Sequence, residues 1–380
     1  MRFAPVPVLV LLLAAPLWAA DPKPVFKEGK HNGGELKFVD GVPVVTVSGT
    51  PAEIGEQLGE LIGKNATDPN PVLDDFLDAV KLKGTLPILK KLSGSLQKGF
   101  PADHLGEMEA LAKQAGYELD VLLVSNTIYD LSSSMMGCST LVLDKTRTAD
   151  GKLLFGRLFD WVPSKGLPER AVVIVCKPKG KRAFASVTLA PITGVISGMN
   201  DAGLCVTLNE IALKSAKDKS KFDWEGVPTL LAFRRVLEEC ETVAEAEKLL
   251  RDMKRTTTAC MTVADAKGGA VFEISPKSVE VRTPTNGMLG CTNTFVSEGL
   301  GTATKVCPRF EKLKETEKGD SKLSVNDVFD RLDGVNQKKG TIQAMVFEPA
   351  DRKLHLKLGD GKESATKSKA VVLDLGKLMK

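Results

Sequence analysis

The 380-residue chain has few aromatic residues, 5% in all, and only three histidines. So thin a supply of rings excludes a base-stacking platform, and no nucleic-acid partner is expected. His31, His104 and His355 lie far apart with no cysteine or carboxylate at ligand spacing, so neither metal nor cofactor is expected. Charge is nearly balanced, with 52 Lys and Arg against 48 Asp and Glu (net +4), and this argues neither for nor against an anionic partner. The seven cysteines form no C-x-x-C pair. No internal repeat is present, and after residue 20 no run is long and apolar enough to span a bilayer. What remains is a globular composition, 43% hydrophobic and 26% charged, that can bury a sizeable core.

The first twenty residues read as an address. Arg2 precedes an apolar stretch from Phe3 to Ala20, and Asp21-Pro22-Lys23-Pro24 ends it. One positive charge, a short Leu/Val/Ala run and terminal small residues describe a secretory signal peptide, although Leu17 or Trp18 stands three before the cut. Export to the periplasm or outside is expected. An odd cysteine count in an exported chain leaves at least one thiol free or shared with a partner.

Residues 35–48 alternate about Gly41-Val42-Pro43 and read as a β-hairpin. Thr50-Pro51-Ala52-Glu53 then opens a helix, with Pro in its first turn and Glu three after the cap. Helical spacing continues over 70–82, 86–97, 101–116 and 118–131. From Ser139 the pattern changes to short apolar runs between turn signals: 139–144, 152–157, 171–177, 183–189, 193–199 and 203–209. Helices are expected at 227–239 and 242–254, strands at 258–264, 269–275 and 278–282, helices again at 304–317 and 324–333. A hairpin at 341–358 and a strand at 369–374 complete the chain. A mainly helical piece (21–137) therefore precedes a mixed antiparallel α+β piece (138–380), the latter fitting two sheets covered by helices on both faces.

At that boundary stands Met136-Gly137-Cys138-Ser139-Thr140, followed across an Asp150-Gly151 turn by Gly156-Arg157-Leu158-Phe159-Asp160-Trp161. Pairing of the two strands returns Arg157 and Asp160 to the neighbourhood of Cys138, which sets a thiol, a cation and a carboxylate together. Any hairpin brings its ends together in this way, so the pairing alone specifies no chemistry.

These segments resemble the N-terminal-nucleophile (Ntn) hydrolases, and most of all their penicillin acyltransferase-like, cysteine-dependent branch. Further matches fall in the order that the superfamily uses. They are Val47 to Gly59, Gly198-Met199-Asn200-Asp201-Ala202-Gly203-Leu204 with Asn209, Cys291-Thr292-Asn293-Thr294-Phe295, and Arg309. Leu158 departs from the pattern, standing where a polar residue is common.

The resemblance implies a four-layer αββα sandwich and a self-activating enzyme acting on a small-molecule amide or acyl substrate. Cys138 would attack the Gly137 carbonyl, with Thr140 assisting, and the resulting thioester would hydrolyse to leave two fragments that stay associated. Cys138 would then be both nucleophile and, through its α-amine, base. Asp160 would orient the amine, Arg157 favour the thiolate, Asn209 bind the oxyanion, Asn293 hold the nucleophile's backbone or amine, and Arg309 brace the site. Two other readings stand beside it: an exported scaffold that kept the fold without the chemistry, and a Cys–His protease using His104 or His355.

Overall fold

The computed structural model describes residues 25–64, 69–79, 81–132, 136–164, 166–301, 307–319 and 321–380. The expected signal segment lies outside them. The chain runs β1 (Gly29–His31), β2 (Gly34–Val39), β3 (Val42–Gly49), α1 (Pro51–Leu58), α2 (Pro69–Ala79), α3 (Leu86–Leu96), α4 (Ala102–Ala115) and α5 (Leu119–Leu131). It continues with β4 (Met136–Leu143), β5 (Leu154–Trp161), β6 (Ala171–Pro178), β7 (Phe184–Leu189), β8 (Ser197–Asn200), β9 (Cys205–Glu210), α6 (Thr229–Glu239) and α7 (Val243–Asp252). Last come β10 (Ala259–Ala264), β11 (Gly269–Ile274), β12 (Val279–Arg282), β13 (Met288–Cys291), α8 (Pro308–Lys314), α9 (Val325–Asp333), β14 (Thr341–Glu348), β15 (Lys353–Leu358) and β16 (Val371–Asp374).

Ten strands form one sheet in the order β1-β2-β3-β6-β7-β8-β9-β10-β11-β12, and six form the other, β13-β4-β5-β14-β15-β16. Alternation along each strand sends successive side chains to opposite faces. On β3, Val42 and Val44 enter the core between the sheets, where Val175, Met199, Phe155 and Phe347 also lie. Val45 and Val47 of the same strand face the helices, against Ile54, Leu58, Met108 and Leu111. The far face of the six-stranded sheet packs Leu141, Leu158 and Val346 on Leu313, Val328 and Leu332 of α8 and α9. The result is an α+β sandwich of four layers, αββα.

Two features of the larger sheet differ from the sequence expectation. The N-terminal piece is not purely helical in its packing: β3 pairs with β6, Val44 opposite Val173, and this is the one parallel pair between the strands named above. The segment before Cys138 thus extends the larger sheet. The expected strand over 193–199 is confined to residues 197–200, because the chain first turns to pack Gly194 and Val195 on α6, where Val195 N–H donates to Leu230 O at 3.0 Å.

The glycines in α1 and at its C-terminal end have a steric cause. A Cβ on Gly55 would lie 2.2 Å from the Glu107 carbonyl oxygen, and one on Gly59 2.8 Å from that of Leu111. Gly55 and Gly59 therefore let α1 lie on α4 nearly backbone to backbone. The start of α1 is fixed by the Thr50–Glu53 capping box, as its sequence indicates. No helix among the described residues is long and apolar enough to cross a membrane.

Candidate active site

Strands β4 and β5 pair antiparallel with Gly137 opposite Asp160, Cys138 opposite Phe159 and Thr140 opposite Arg157. Opposed residues point to the same face of a sheet. Cys138, Thr140, Arg157 and Phe159 therefore face the space between the sheets, while Gly137, Ser139 and Asp160 face the other way. The hairpin brings thiol, cation and carboxylate together as its sequence suggests, with one refinement. Asp160 lies across the ladder beside the Cys138 backbone, not on the sulfur's side.

The backbone of Cys138 is held at both ends. Its N–H donates to Asn293 Oδ1 at 2.8 Å, and its carbonyl accepts from Arg309 Nη1 at 2.8 Å. Arg309 also donates to Asn293 Oδ1 (2.8 Å) and Ser139 Oγ (3.1 Å), and approaches Asp160 Oδ2 at 3.5 Å. Asn293 is oriented in turn by donating Nδ2–H to the Glu210 carbonyl at 2.8 Å. The short strand β13, absent from the sequence expectation, delivers this asparagine by pairing Cys291 with Thr140.

Gly137 sits under Asp160. A Cβ there would lie 3.0 Å from Asp160 Cβ and 3.1 Å from Oδ2, so any larger residue would push the carboxylate away from the Gly137–Cys138 bond. Asp160 is buried, and burial raises its pKa, opposed by the Thr341 hydrogen bond and by Arg309 and Arg157. Its Oδ1 accepts from Thr341 Oγ1 at 2.5 Å, while Oδ2 has no hydrogen-bond partner among the described residues.

Cys138 is fully buried in the continuous chain, and burial is the main cause that raises its thiol pKa. Asp160 pushes the same way; Arg157 and Arg309 oppose them. Arg157 is also fully buried, with its Cζ 5.5 Å from the Phe159 ring centroid. Beyond its interaction with the Cys138 thiol it makes a long hydrogen bond, Nη1 to Asn209 Oδ1 at 3.4 Å, and Nε and Nη2 have no hydrogen-bond partner among the described residues. A buried guanidinium so sparsely bonded is a strong local source of positive potential for the sulfur.

Asn209 lies on the facing sheet, with Nδ2 directed at the Cys291 carbonyl at 3.4 Å. Thr140 lies two residues along β4 from Cys138, on the same face of the sheet. Its hydroxyl reaches across to Thr262 Oγ1 at 2.9 Å and to the Cys291 carbonyl at 3.5 Å, a commitment made by strand register. Thr341 is the site residue that sequence reasoning missed.

Of the other cysteines, five are buried and Cys307 is half-buried; all are free. His355 pairs with Glu348 and His104 with Glu238, so neither serves Cys138. The fold does gather Asp103, His104 and Glu238, distant in sequence, within ligand reach of one another. Cations of the chain already occupy these carboxylates. Lys181 pairs with Asp103 and with Glu238 (2.6 Å), and Arg234 reaches Glu238 at 2.8 Å and Glu107 at 2.6 Å. This network ties α4 to α6 and fits an ion-pair cluster better than a metal site.

A small apolar pocket opens beside the constellation, lined by Leu73, Ser125, Ile128, Trp161, Leu189 and Ile192 among others. Trp161 joins it to the site, since its ring meets Phe159 edge-on at 5.3 Å and Phe159 lies opposite Cys138.

The sequence profile described as acyl-coenzyme A:6-aminopenicillanic acid acyl-transferase matches residues 146–363, more than half of the chain. The chain belongs to this acyl-transferase family. Arg157, Asp160, Asn209, Asn293 and Arg309 fall inside the family match, and Cys138 lies just before it. Among similar proteins is an uncharacterised one from Archaeoglobus fulgidus, 26% identical over 311 residues, which are 72% of this chain and 51% of that one. The acyl-coenzyme A:6-aminopenicillanic-acid-acyltransferase 40 kDa form of Emericella nidulans is 26% identical over 259 residues, 66% of this chain and 68% of its own length. The chain spans about half the length of the first of these relatives.

Similar solved structures include an N-acylethanolamine-hydrolyzing acid amidase ortholog from Caenorhabditis elegans (20% identity, TM-score 0.45, 62% of this chain and 100% of that one). Penicillin V acylase from Agrobacterium tumefaciens is another (16%, 0.45, 64% and 87%).

Proposed function

We propose that the chain is an exported cysteine Ntn enzyme that cuts itself at Gly137–Cys138 and then hydrolyses linear amides or transfers their acyl group. The observation that carries this reading is the clamp on Cys138, with N–H on Asn293, C=O on Arg309, and Asp160 Oδ2, which makes no hydrogen bond to a described residue, alongside.

In the self-cleavage, Sγ attacks the Gly137 carbonyl carbon, the C–N bond breaks, and nitrogen takes up a proton to become the α-amine of Cys138. Water then hydrolyses the thioester, leaving a carboxylate on Gly137 and a free thiol. Asn293 and Asp160 would hold the new amine, whose ordinary pKa of about 7.7–8.0 suits a base near neutral pH. In turnover that amine takes the thiol proton as sulfur attacks the substrate carbonyl, with Arg157 stabilising the thiolate. Asn209 would turn its Nδ2 from the long Cys291 contact to the oxyanion. The leaving amine receives the proton, and water or an acceptor amine resolves the thioester.

The acyl group would occupy the apolar pocket next to Trp161. Leu73 stands half-buried at its wall on α2, so Leu73→Trp narrows the pocket without replacing a site residue. Steady-state kinetics with an acyl-chain series is expected to show KM rising by roughly tenfold or more for bulky apolar acyl groups, with acetyl amides little affected. Mass analysis of quenched reactions should find the acyl adduct on the peptide that begins at Cys138. Adducts elsewhere, or equal losses across the series, would count against the assignment.

A further inference from the structure

We infer that Thr341 is a positioning residue for the reaction, a one-proton relay that commits Asp160 Oδ1 and leaves Oδ2 to the nucleophile's nitrogen. The inference rests on the proposed role of Asp160, and no sequence motif points to Thr341. Strand β14 pairs with β5 through an irregularity, Thr341 opposite Asp160 and Gln343 opposite Phe159, so one extra residue is inserted between the two pairs. Bulges of this kind re-aim side chains next to active sites. Here the result is a fully buried hydroxyl on the carboxylate's face.

The direction of each proton follows from the bonds present. Gln337 N–H donates to Thr341 Oγ1 at 2.7 Å, which uses the hydroxyl as acceptor. A hydroxyl has one proton, and it therefore points at Asp160 Oδ1, 2.5 Å away. Asp160 Oδ1 is thus committed as an acceptor. The remaining oxygen, Oδ2, is buried, makes no hydrogen bond to a described residue, has only the long 3.5 Å ion-pair approach of Arg309, and lies over Gly137.

The charged or titratable groups that act on Asp160 are Arg309 of α8, which approaches Oδ2 at 3.5 Å, and, from the other face of the sheet, Arg157 on its own strand and the Cys138 thiol on β4. Both arginines favour the carboxylate; burial disfavours it more, and Thr341 is the largest opposing contribution. Removing this donor raises the Asp160 pKa. The deprotonated form needed to hold the amine is then lost at a higher pH as acid is added.

The test is a carboxyl-carbon NMR titration of Asp160 in the full Cys138→Ala chain, with the resonance assigned through Asp160→Asn. Thr341→Val is expected to move the midpoint up by about one pH unit, whereas Thr341→Ser, which restores the hydroxyl, stays near the parent value. In the enzyme with its thiol intact, Thr341→Val should lower kcat/KM by roughly ten- to a hundredfold and move its acid limb to higher pH. Thr341→Ser should recover most of both. An unmoved titration in Thr341→Val overturns the relay whatever the activity. A moved titration in a protein that neither cuts itself nor turns over amides sustains the relay and defeats the proposed function instead.

Discussion

Replacing Cys138 by alanine is expected to leave a folded, uncut chain with amide turnover lowered by roughly 10⁴-fold or more. The substitution removes one buried sulfur from a position whose backbone is fixed by Asn293 and Arg309, so folding loses little. Function loses everything at once, because the same atom would open the Gly137 peptide and attack the substrate. A Cys–His mechanism is already unsupported, since His104 and His355 are held by Glu238 and Glu348. Circular dichroism separates the loss of chemistry from the loss of fold. Amide turnover retained in Cys138→Ala would remove the nucleophile from the account.

Asp160→Asn is expected to be the next most damaging change, lowering kcat by roughly 10³–10⁴ with KM nearly unchanged, by analogy with the orienting carboxylate of a catalytic triad. The variant preserves shape, but it replaces a charge that can accept from the Cys138 amine by a group that can accept only weakly or donate. Self-cleavage should slow as well, because Asp160 lies against Gly137. The observable is progress of both reactions at one pH, followed by mass and by amine release. A variant within tenfold of wild type on both would show Asp160 to be a structural ion-pair partner of Arg309 and no more.

Much of this site is legible in the sequence because it is local. The turn at Asp150-Gly151 sets the β4–β5 hairpin, and the hairpin fixes Arg157 and Asp160 relative to Cys138. The helix starts at Thr50, Thr242 and Ser324 are legible for a similar reason, each being a side chain bonded three residues ahead. What is not legible depends on distant pairing. Thr341 reaches Asp160 across 181 residues through a bulge that no local pattern announces. The four-residue strand β13 is too short to show alternation, yet it places Asn293. The face on which Asp160 lies follows from register, which hydrophobic pattern alone leaves ambiguous by one residue. Likewise the Asp103–His104–Glu238 cluster is assembled by α4 packing on α6 and has no linear signature.

The most direct test is the intact mass of the purified wild-type protein beside Cys138→Ala. The account predicts two polypeptides in the wild type, the larger beginning at Cys138 with a free amine, and one polypeptide in the variant. A wild-type chain that remains whole while hydrolysing amides at full rate would contradict it.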